Sequence, residues 1–189
     1  MNRFALLILI ARVAVGTASA QTPEDLIVRL KDSNGVTRAD ALVALARVEP
    51  PSATYLEPIA DRLLDEVETV RVTAAFSLAS VAAGLGCDAD VLLDCKLLST
   101  VLDATPKKVK HVNPVYPDAL KRERVQGSVR IAVLIRPDGS VGDVRAAGGS
   151  VSFHAPALEA IRRWEYKPAT RNGVPVPFAF FVRMTFRLK

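Results

Sequence analysis

Two stretches of alternating apolar residues most constrain what this chain can fold into. In Gly127–Ile135 valine and isoleucine recur at every second position, and a second alternating stretch covers Pro177–Leu188. A period of two residues is typical of a strand with one buried face. Between Arg136 and Ser140 the chain reads Pro-Asp-Gly, which predicts a hairpin turn and a returning strand over Val141–Ala147. The C-terminal part is therefore predicted to form an antiparallel sheet.

Two helices are predicted to accompany these strands. A short helix follows Pro117 over Asp118–Arg124, and a second helix covers Phe153–Trp164. Apolar residues recur on one face of the second helix, which is the pattern of a helix that packs on a sheet. The dipeptide Asn172-Gly173 predicts a further turn before the last strand.

The preceding part of the chain has a different period. When residues 24–48 are aligned with residues 57–81, nine of the 25 positions are identical, among them an Asp and an Arg in each copy. Each copy reads as helix, polar turn, helix, and the pattern over Pro23–Ala83 resembles the short HEAT-like repeats of α-solenoids. A third, degenerate helical pair is predicted at Asp90–Leu102 because such arrays need about three units. The alternative is an ordinary helical bundle with a coincidental internal similarity.

Charge divides the chain at the same place. Residues 21–105 carry 7 Lys and Arg against 14 Asp and Glu, whereas residues 106–189 carry 16 against 6. This asymmetry predicts two units. The first is an acidic all-α helical-repeat domain at residues 21–103, followed by a linker at residues 104–111. The second is a basic domain at residues 112–189.

The N-terminus predicts export. A basic start, an apolar run from Phe4 and the small-residue triplet Ala18-Ser19-Ala20 have the anatomy of a secretory signal peptide at residues 1–20. The alternative is an uncleaved membrane anchor, although Arg12 interrupts the apolar run. Export would allow Cys87 and Cys95 to form a disulfide; two buried reduced thiols are the alternative.

No catalytic, metal or cofactor site is predicted. His154 lies near Ser150 and Ser152, but neither serine is in a Gly-x-Ser-x-Gly turn. Two thiols without a nearby histidine do not make a tetrahedral zinc site. The lysine and arginine runs are predicted to be a solvated face, since export makes nucleic acid a poor partner. The chain is therefore not expected to be an enzyme, and a binding role is expected instead.

The order helix, strand, strand, helix, strand resembles the TonB C-terminal domain family. The matching motifs are Pro114-x-Tyr116-Pro117, Pro137-Asp138-Gly139, Arg162-Arg163-Trp164-x-Tyr166-Lys167-Pro168, Asn172-Gly173 and Thr185-Phe186. They cover about residues 112–189. The resulting fold class is α+β overall, with the HEAT-like domain followed by a small TonB C-terminal-like domain of a three-stranded antiparallel sheet and two helices.

The resemblance implies a protein-binding function in TonB-dependent transport across the cell envelope. Family members capture a short segment of an outer-membrane receptor, the TonB box, by adding it to a sheet edge. The peptide-binding residues expected here lie in two segments: Val112, Asn113, Pro114 and Tyr116 in one, and Val176, Phe178, Phe180, Val182 and Met184 in the other.

The chain departs from a full transducer of this family. It has no Pro-rich spacer and no histidine before His111, so contact with an inner-membrane motor is expected only if the N-terminus stays uncleaved. Two alternatives to a periplasmic adaptor remain. One is a membrane-anchored energy transducer, and the other is a structural envelope protein that forms homodimers through its sheet edge.

Overall fold

The computed structural model describes residues 21–87 and 95–188. The predicted signal peptide, and residues 90–94 of the predicted third helical pair, lie outside these ranges. The N-terminal part is built of α-helices, namely α1 (Pro23–Arg29), α2 (Gly35–Leu45), α3 (Leu56–Asp61) and α4 (Glu68–Gly84). Short 3₁₀ turns cover Ala53–Tyr55, Arg62–Leu64 and Lys96–Thr100.

Polar caps begin the first two helices. The Thr22 hydroxyl accepts a hydrogen bond from the Asp25 N–H at 3.2 Å, and the Asp25 carboxylate accepts one from the Thr22 N–H at 3.1 Å. The Asn34 side chain accepts from the Val36 N–H at 2.8 Å at the start of α2. Each cap satisfies a backbone donor that the helix itself leaves without a partner.

The 33-residue period of the sequence recurs in the contacts of two arginines. Arg38 Nη1 donates to the carbonyls of Asp32 and Ser33 at 2.8 and 3.0 Å. Arg71 Nη1 donates to the carbonyls of Asp65 and Glu66 at 2.7 and 2.9 Å, which are the equivalent positions one period later. The two copies therefore share equivalent hydrogen bonds between an arginine of a helix and the turn that precedes that helix.

The C-terminal part contains two helices, α5 (Asp118–Arg122) and α6 (His154–Ile161), with a 3₁₀ turn at Val151–Phe153. Its strands are β1 (Lys107–Lys110), β2 (Gly127–Ile135), β3 (Val141–Gly149), β4 (Glu165–Lys167), β5 (Ala169–Arg171), β6 (Val174–Val176) and β7 (Phe178–Phe186). The main sheet has three strands in the order β3-β2-β7, and all pairs are antiparallel. Two short ladders, β1 with β4 and β5 with β6, were not predicted. The predicted mixed α+β architecture with an antiparallel sheet is confirmed.

The sheet lies between two helical layers. Helix α6 packs on β2 and β3, and the fully buried Val129, Ile131, Val133 and Ile135 line the inner face of β2. Helix α4 packs against β7, so the N-terminal helices cover part of the opposite face. The buried side chains of both parts form one continuous hydrophobic cluster.

Arg171 joins the two parts. Its side chain is only 7% exposed, and it donates to Glu57 and Asp61 of α3 at 2.7 and 2.5 Å and to the Val101 carbonyl at 2.5 Å. Burial opposes the charge of the guanidinium, but the hydrogen bonds to the two carboxylates outweigh it and raise the pKa of Arg171. The hairpin that carries Arg171 turns at Asn172-Gly173, where both residues have positive φ, as a two-residue turn requires.

The segment predicted to be a linker forms backbone hydrogen bonds with two strands of the C-terminal part, β4 and β5. Residues Lys107–Lys110 form β1 against β4, and the Thr170 N–H donates to the Ala104 carbonyl at 3.0 Å. A disulfide joins Cys87 and Cys95, as predicted. Across the described residues, no helix has both the length and the apolar character to cross a membrane.

Candidate functional site

Strand β7 is an edge of the main sheet. It pairs with β2 in unbroken register over nine residues, from Gly127 opposite Phe186 to Ile135 opposite Phe178. In the part of the chain that the structure describes, β7 has no second strand neighbour. A regular strand with one unpaired side presents backbone donors and acceptors to a further strand.

The contacts of β2 show which backbone groups of β7 point outward. The Ser128 carbonyl accepts from the Ser150 N–H and the Arg136 N–H donates to the Ser140 carbonyl, so even-numbered residues of β2 face β3. Backbone groups alternate in direction along a strand, so odd-numbered residues of β2 face β7. Given the register, Phe181 and Thr185 direct their N–H and C=O groups to the outer edge, whereas Val182 and Met184 direct theirs to β2.

The other edge of the sheet is less regular. Strand β3 carries an extra residue at two places relative to β2, one opposite the step from Arg130 to Ile131 and one opposite the step from Val133 to Ile135. Such bulges twist an edge and interrupt its pairing, so they protect it from further strands. Strand β7 is therefore the better surface for strand addition.

The predicted side chains of the second segment lie mostly in the core. Phe178, Phe180 and Met184 are 2%, 4% and 7% exposed, and Val176 is fully buried. Val182 is half-buried. Phe186, on the same face, stacks on Phe153 with ring centroids 4.3 Å apart. These side chains build the layer under α6, so a partner at this edge would meet backbone atoms rather than these side chains.

The first predicted segment lies beside the C-terminal end of β7. The Tyr116 ring makes edge contacts with Phe153 and Phe186 at 5.5 and 5.8 Å, and its hydroxyl donates to the Val125 carbonyl. Val112 accepts a hydrogen bond at its carbonyl from Trp164 Nε1 at 2.8 Å. Asn113 is exposed and Pro114 is half-buried. The structure therefore brings Tyr116 to the edge strand and leaves the Asn113 amide in solvent.

Residues on the opposite row of β7 were not among the predicted binding residues. Phe181 is half-buried, Thr185 is exposed, and Ala179 is buried under α4. The accessible part of the edge is thus Phe181–Phe186. The alternation of the sequence placed these residues together, but it did not show which row faces the core, since both rows contain phenylalanine.

A basic cluster surrounds Trp164. Lys108 Nζ lies 3.9 Å from the centroid of the indole ring, and desolvation there lowers the pKa of Lys108. His111 contacts the same ring edge-on, with centroids 4.6 Å apart. Among the described residues, no group of His, Cys, Asp and Glu side chains is arranged to hold a metal ion.

Comparison with known proteins supports the family suggested by the sequence. Residues 112–188 match the family model described as Gram-negative bacterial TonB protein C-terminal. Protein TonB of Vibrio cholerae is 26% identical over 80 residues, which are 41% of this chain and 33% of that protein. Protein TonB of Escherichia coli is 27% identical over 93 residues, which are 48% of this chain and 39% of that protein.

One solved structure is also similar. The solution NMR structure of Pseudomonas aeruginosa TonB CTD is 21% identical and has a TM-score of 0.39, covering 44% of this chain and 87% of that one. The match of residues 112–188 to the TonB C-terminal family model agrees with the resemblance noted in the sequence. The chain spans 33% and 39% of the lengths of the two curated relatives.

Proposed function

We propose that this protein is an exported, periplasmic protein-binding module that captures an extended segment of an envelope protein by strand addition to β7. The observation that carries the proposal is the edge itself. It is a nine-residue strand in regular register with β2, without the bulges that protect β3. Strand addition derives its affinity from main-chain hydrogen bonds and makes little demand on the partner's sequence.

The second support is the position of the Val112–Tyr116 segment. Tyr116 packs on Phe186 at the end of the edge, and the neighbouring Asn113 amide is exposed. A strand added along Phe181–Phe186 would end beside this segment, where Asn113 could bond to its backbone. Val112, Asn113, Pro114 and Tyr116 therefore form the end of the proposed binding site, and the buried residues of β7 hold the strand in place.

The partner proposed from the family is an outer-membrane receptor or a similar envelope protein, in TonB-dependent transport. The role is binding rather than catalysis and needs no cofactor. The N-terminal helices are proposed to be a HEAT-like repeat domain that fixes the sheet on one side. A membrane-anchored transducer that contacts an inner-membrane motor is the alternative if residues 1–20 are retained.

A titration of the isotopically labelled full chain tests the proposal. The probe is an acetylated heptapeptide of alternating threonine and valine, and the readout is the set of backbone amide shifts. We expect the shifts to cluster at Phe181–Phe186 and near Tyr116. A fully N-methylated peptide of the same sequence lacks the N–H donors and should bind at least tenfold more weakly. Shifts that cluster on β3, or equal binding of both peptides, would contradict strand addition to β7.

A pair of variants at Thr185 supplies the matched control. Thr185→Pro removes an outward-facing donor, whereas Thr185→Ala removes only the side chain. We expect the first to weaken peptide binding and the second to leave it unchanged. The same pair tests the homodimer alternative, since self-association through this edge would also be lost in Thr185→Pro. Proline at Val182 is a poorer test, because that N–H belongs to the native ladder with β2.

A further inference from the structure

A cleft of about 540 Å³ lies between helices α2 and α4 and the face of the main sheet opposite α6. Its walls come from both parts of the chain, with Thr73 and Ser77 on one side and Ala132 and Phe181 on the other. Neither part would form the cleft alone. The volume is within the range of about 300–1,000 Å³ that is usual for small-molecule sites.

The floor of the cleft is apolar. Ala132 of β2 and Phe181 of β7 contribute hydrocarbon from the sheet, and Val43 and Phe76 contribute it from α2 and α4. The Arg130 guanidinium lies 4.2 Å from the centroid of the Phe181 ring. The hydroxyls of Thr73 and Ser77 are directed to backbone carbonyls, that of Thr73 to Thr69 at 2.7 Å and that of Ser77 to Leu42 at 3.1 Å. Neither hydroxyl therefore has a hydrogen left to donate to a ligand. The rest of the cleft floor suits an apolar chain or ring.

The rim of the cleft is cationic. Arg47 follows α2, Arg145 lies in β3 and Arg162 follows α6, and all three line the same cleft. All three are exposed, and within residues 21–87 and 95–188 none of them forms an ion pair. Asp143 also lines the cleft and offsets one of these charges. The rim keeps an excess of positive charge that carboxylates of the described chain do not neutralise.

We propose that this cleft binds a small amphipathic anion, namely an apolar chain or ring that carries one carboxylate. The apolar part would lie on the floor of the cleft, and the carboxylate would accept paired hydrogen bonds from a rim guanidinium. An extended peptide fits less well, because the backbone edge of β7 points sideways from the sheet and not into this face. The proposal is independent of peptide capture, and either can fail without the other.

Calorimetric and NMR titrations of the full chain with decanoate test the proposal, with 1-decanol and acetate as matched probes. We expect decanoate to bind and to shift the amides of Ala132, Val144 and Phe181. We expect 1-decanol, which has the chain but no charge, to bind about tenfold more weakly, and acetate not to bind measurably. The proposal is overturned if decanoate does not bind, if 1-decanol binds equally well, or if the shifts cluster outside the cleft.

Variants locate the site. Arg145→Gln and Arg162→Gln should each lower decanoate affinity by about tenfold or less, and together by more, because each removes one cation from the rim. Arg122→Gln changes an exposed arginine outside the cleft and should have no effect. Ser80→Trp fills the cleft from an exposed position on α4 and should abolish binding, whereas Ser99→Trp should not. Loss of binding in the two control variants, or none in the cleft variants, would refute the assignment.

Discussion

The Arg38–Asp65 pair ties one helical repeat to the next. Arg38 Nε and Nη2 donate to the two carboxylate oxygens of Asp65 at 2.9 and 2.7 Å, and both side chains are at most 5% exposed. Asp65 also accepts from the Val67 N–H at 3.0 Å. Burial favours the protonated carboxyl, but these hydrogen bonds outweigh it and lower the pKa of Asp65. One period later the aspartate position is occupied by Leu98, so Arg71 has no equivalent carboxylate.

The lowered pKa predicts a pH dependence. A carboxyl whose folded-state pKa lies below its unfolded value contributes stability above the unfolded pKa, and this contribution is lost as the pH falls through the folded pKa. We expect Asp65→Asn to lower the free energy of unfolding by about 3 kcal/mol at pH 7, because it leaves a buried guanidinium without its partner. In urea titrations, the difference in the free energy of unfolding between this variant and the parent protein should become smaller below about pH 4.

Asp40→Asn is the control for this prediction. Asp40 is exposed on α2, and its substitution should change the free energy of unfolding by about 0.5 kcal/mol or less at any pH. A loss in Asp65→Asn that stays constant between pH 7 and pH 3 would show that the carboxylate charge contributes nothing.

Arg171 predicts a second stability effect. Arg171→Met removes hydrogen bonds to Glu57, Asp61 and the Val101 carbonyl, and we expect it to lower the free energy of unfolding by about 2–3 kcal/mol. The two carboxylates are 62% and 53% exposed, so they remain solvated and add little to the loss. Arg163→Met breaks the exposed ion pair with Glu159 and should cost about 0.5 kcal/mol or less. Equal losses in the two variants, measured by urea unfolding, would contradict a special role for Arg171.

The backbone groups of strand β7 point alternately to β2 and to the outer edge of the sheet. The N–H groups of Val182 and Met184 belong to the ladder with β2, whereas those of Phe181 and Thr185 face the outer edge. The rate of amide hydrogen exchange, followed by NMR, should therefore alternate along the strand. We expect Phe181 and Thr185 to exchange at least tenfold faster than Val182 and Met184. Uniform protection of all four amides would mean that something already covers the edge.

The sequence predicts the long elements well and the short ones poorly. Strand β2 has the predicted bounds because its alternation spans nine residues. Strands β4, β5 and β6 have three residues each, which is too few to show a period. Strand β1 was predicted to be a linker, since its partner β4 lies more than fifty residues away and no local pattern reports such pairing.

The candidate site could be predicted only in part. The Pro-x-Tyr-Pro motif and the alternating pattern of β7 predicted the two segments that are in contact in the structure, through Tyr116 and Phe186. They did not show that Phe178, Phe180 and Met184 are core residues, because that depends on which side of the sheet α6 covers. The cleft was not predicted at all, since its walls come from helices and strands that are distant in sequence.

Within the described residues the two parts share one hydrophobic core, although the sequence divides into an acidic and a basic half. Helix α4 packs on β7, and Arg171 of the basic half is held between Glu57 and Asp61 of the acidic half. The acidic and basic halves thus attract each other where they are in contact. An extended linker is also absent between Ala104 and Lys110, which pair with the sheet domain.

This shared core predicts that the two parts unfold together. Far-ultraviolet circular dichroism reports mainly on the N-terminal helices, and fluorescence of Trp164, the single tryptophan, reports on the C-terminal part. We expect both signals to give the same midpoint in a urea titration of the full chain, because exposing either part would expose the contact surface of the other.

Arg171→Met provides the internal comparison. If the contact between the parts couples their unfolding, this variant should lower the urea midpoints of both signals, because it weakens the contact that both parts share. Two separate midpoints in the parent protein would contradict a shared core. In that case the less stable part would unfold first and the cleft would be lost with it, so binding of decanoate should raise the lower of the two midpoints.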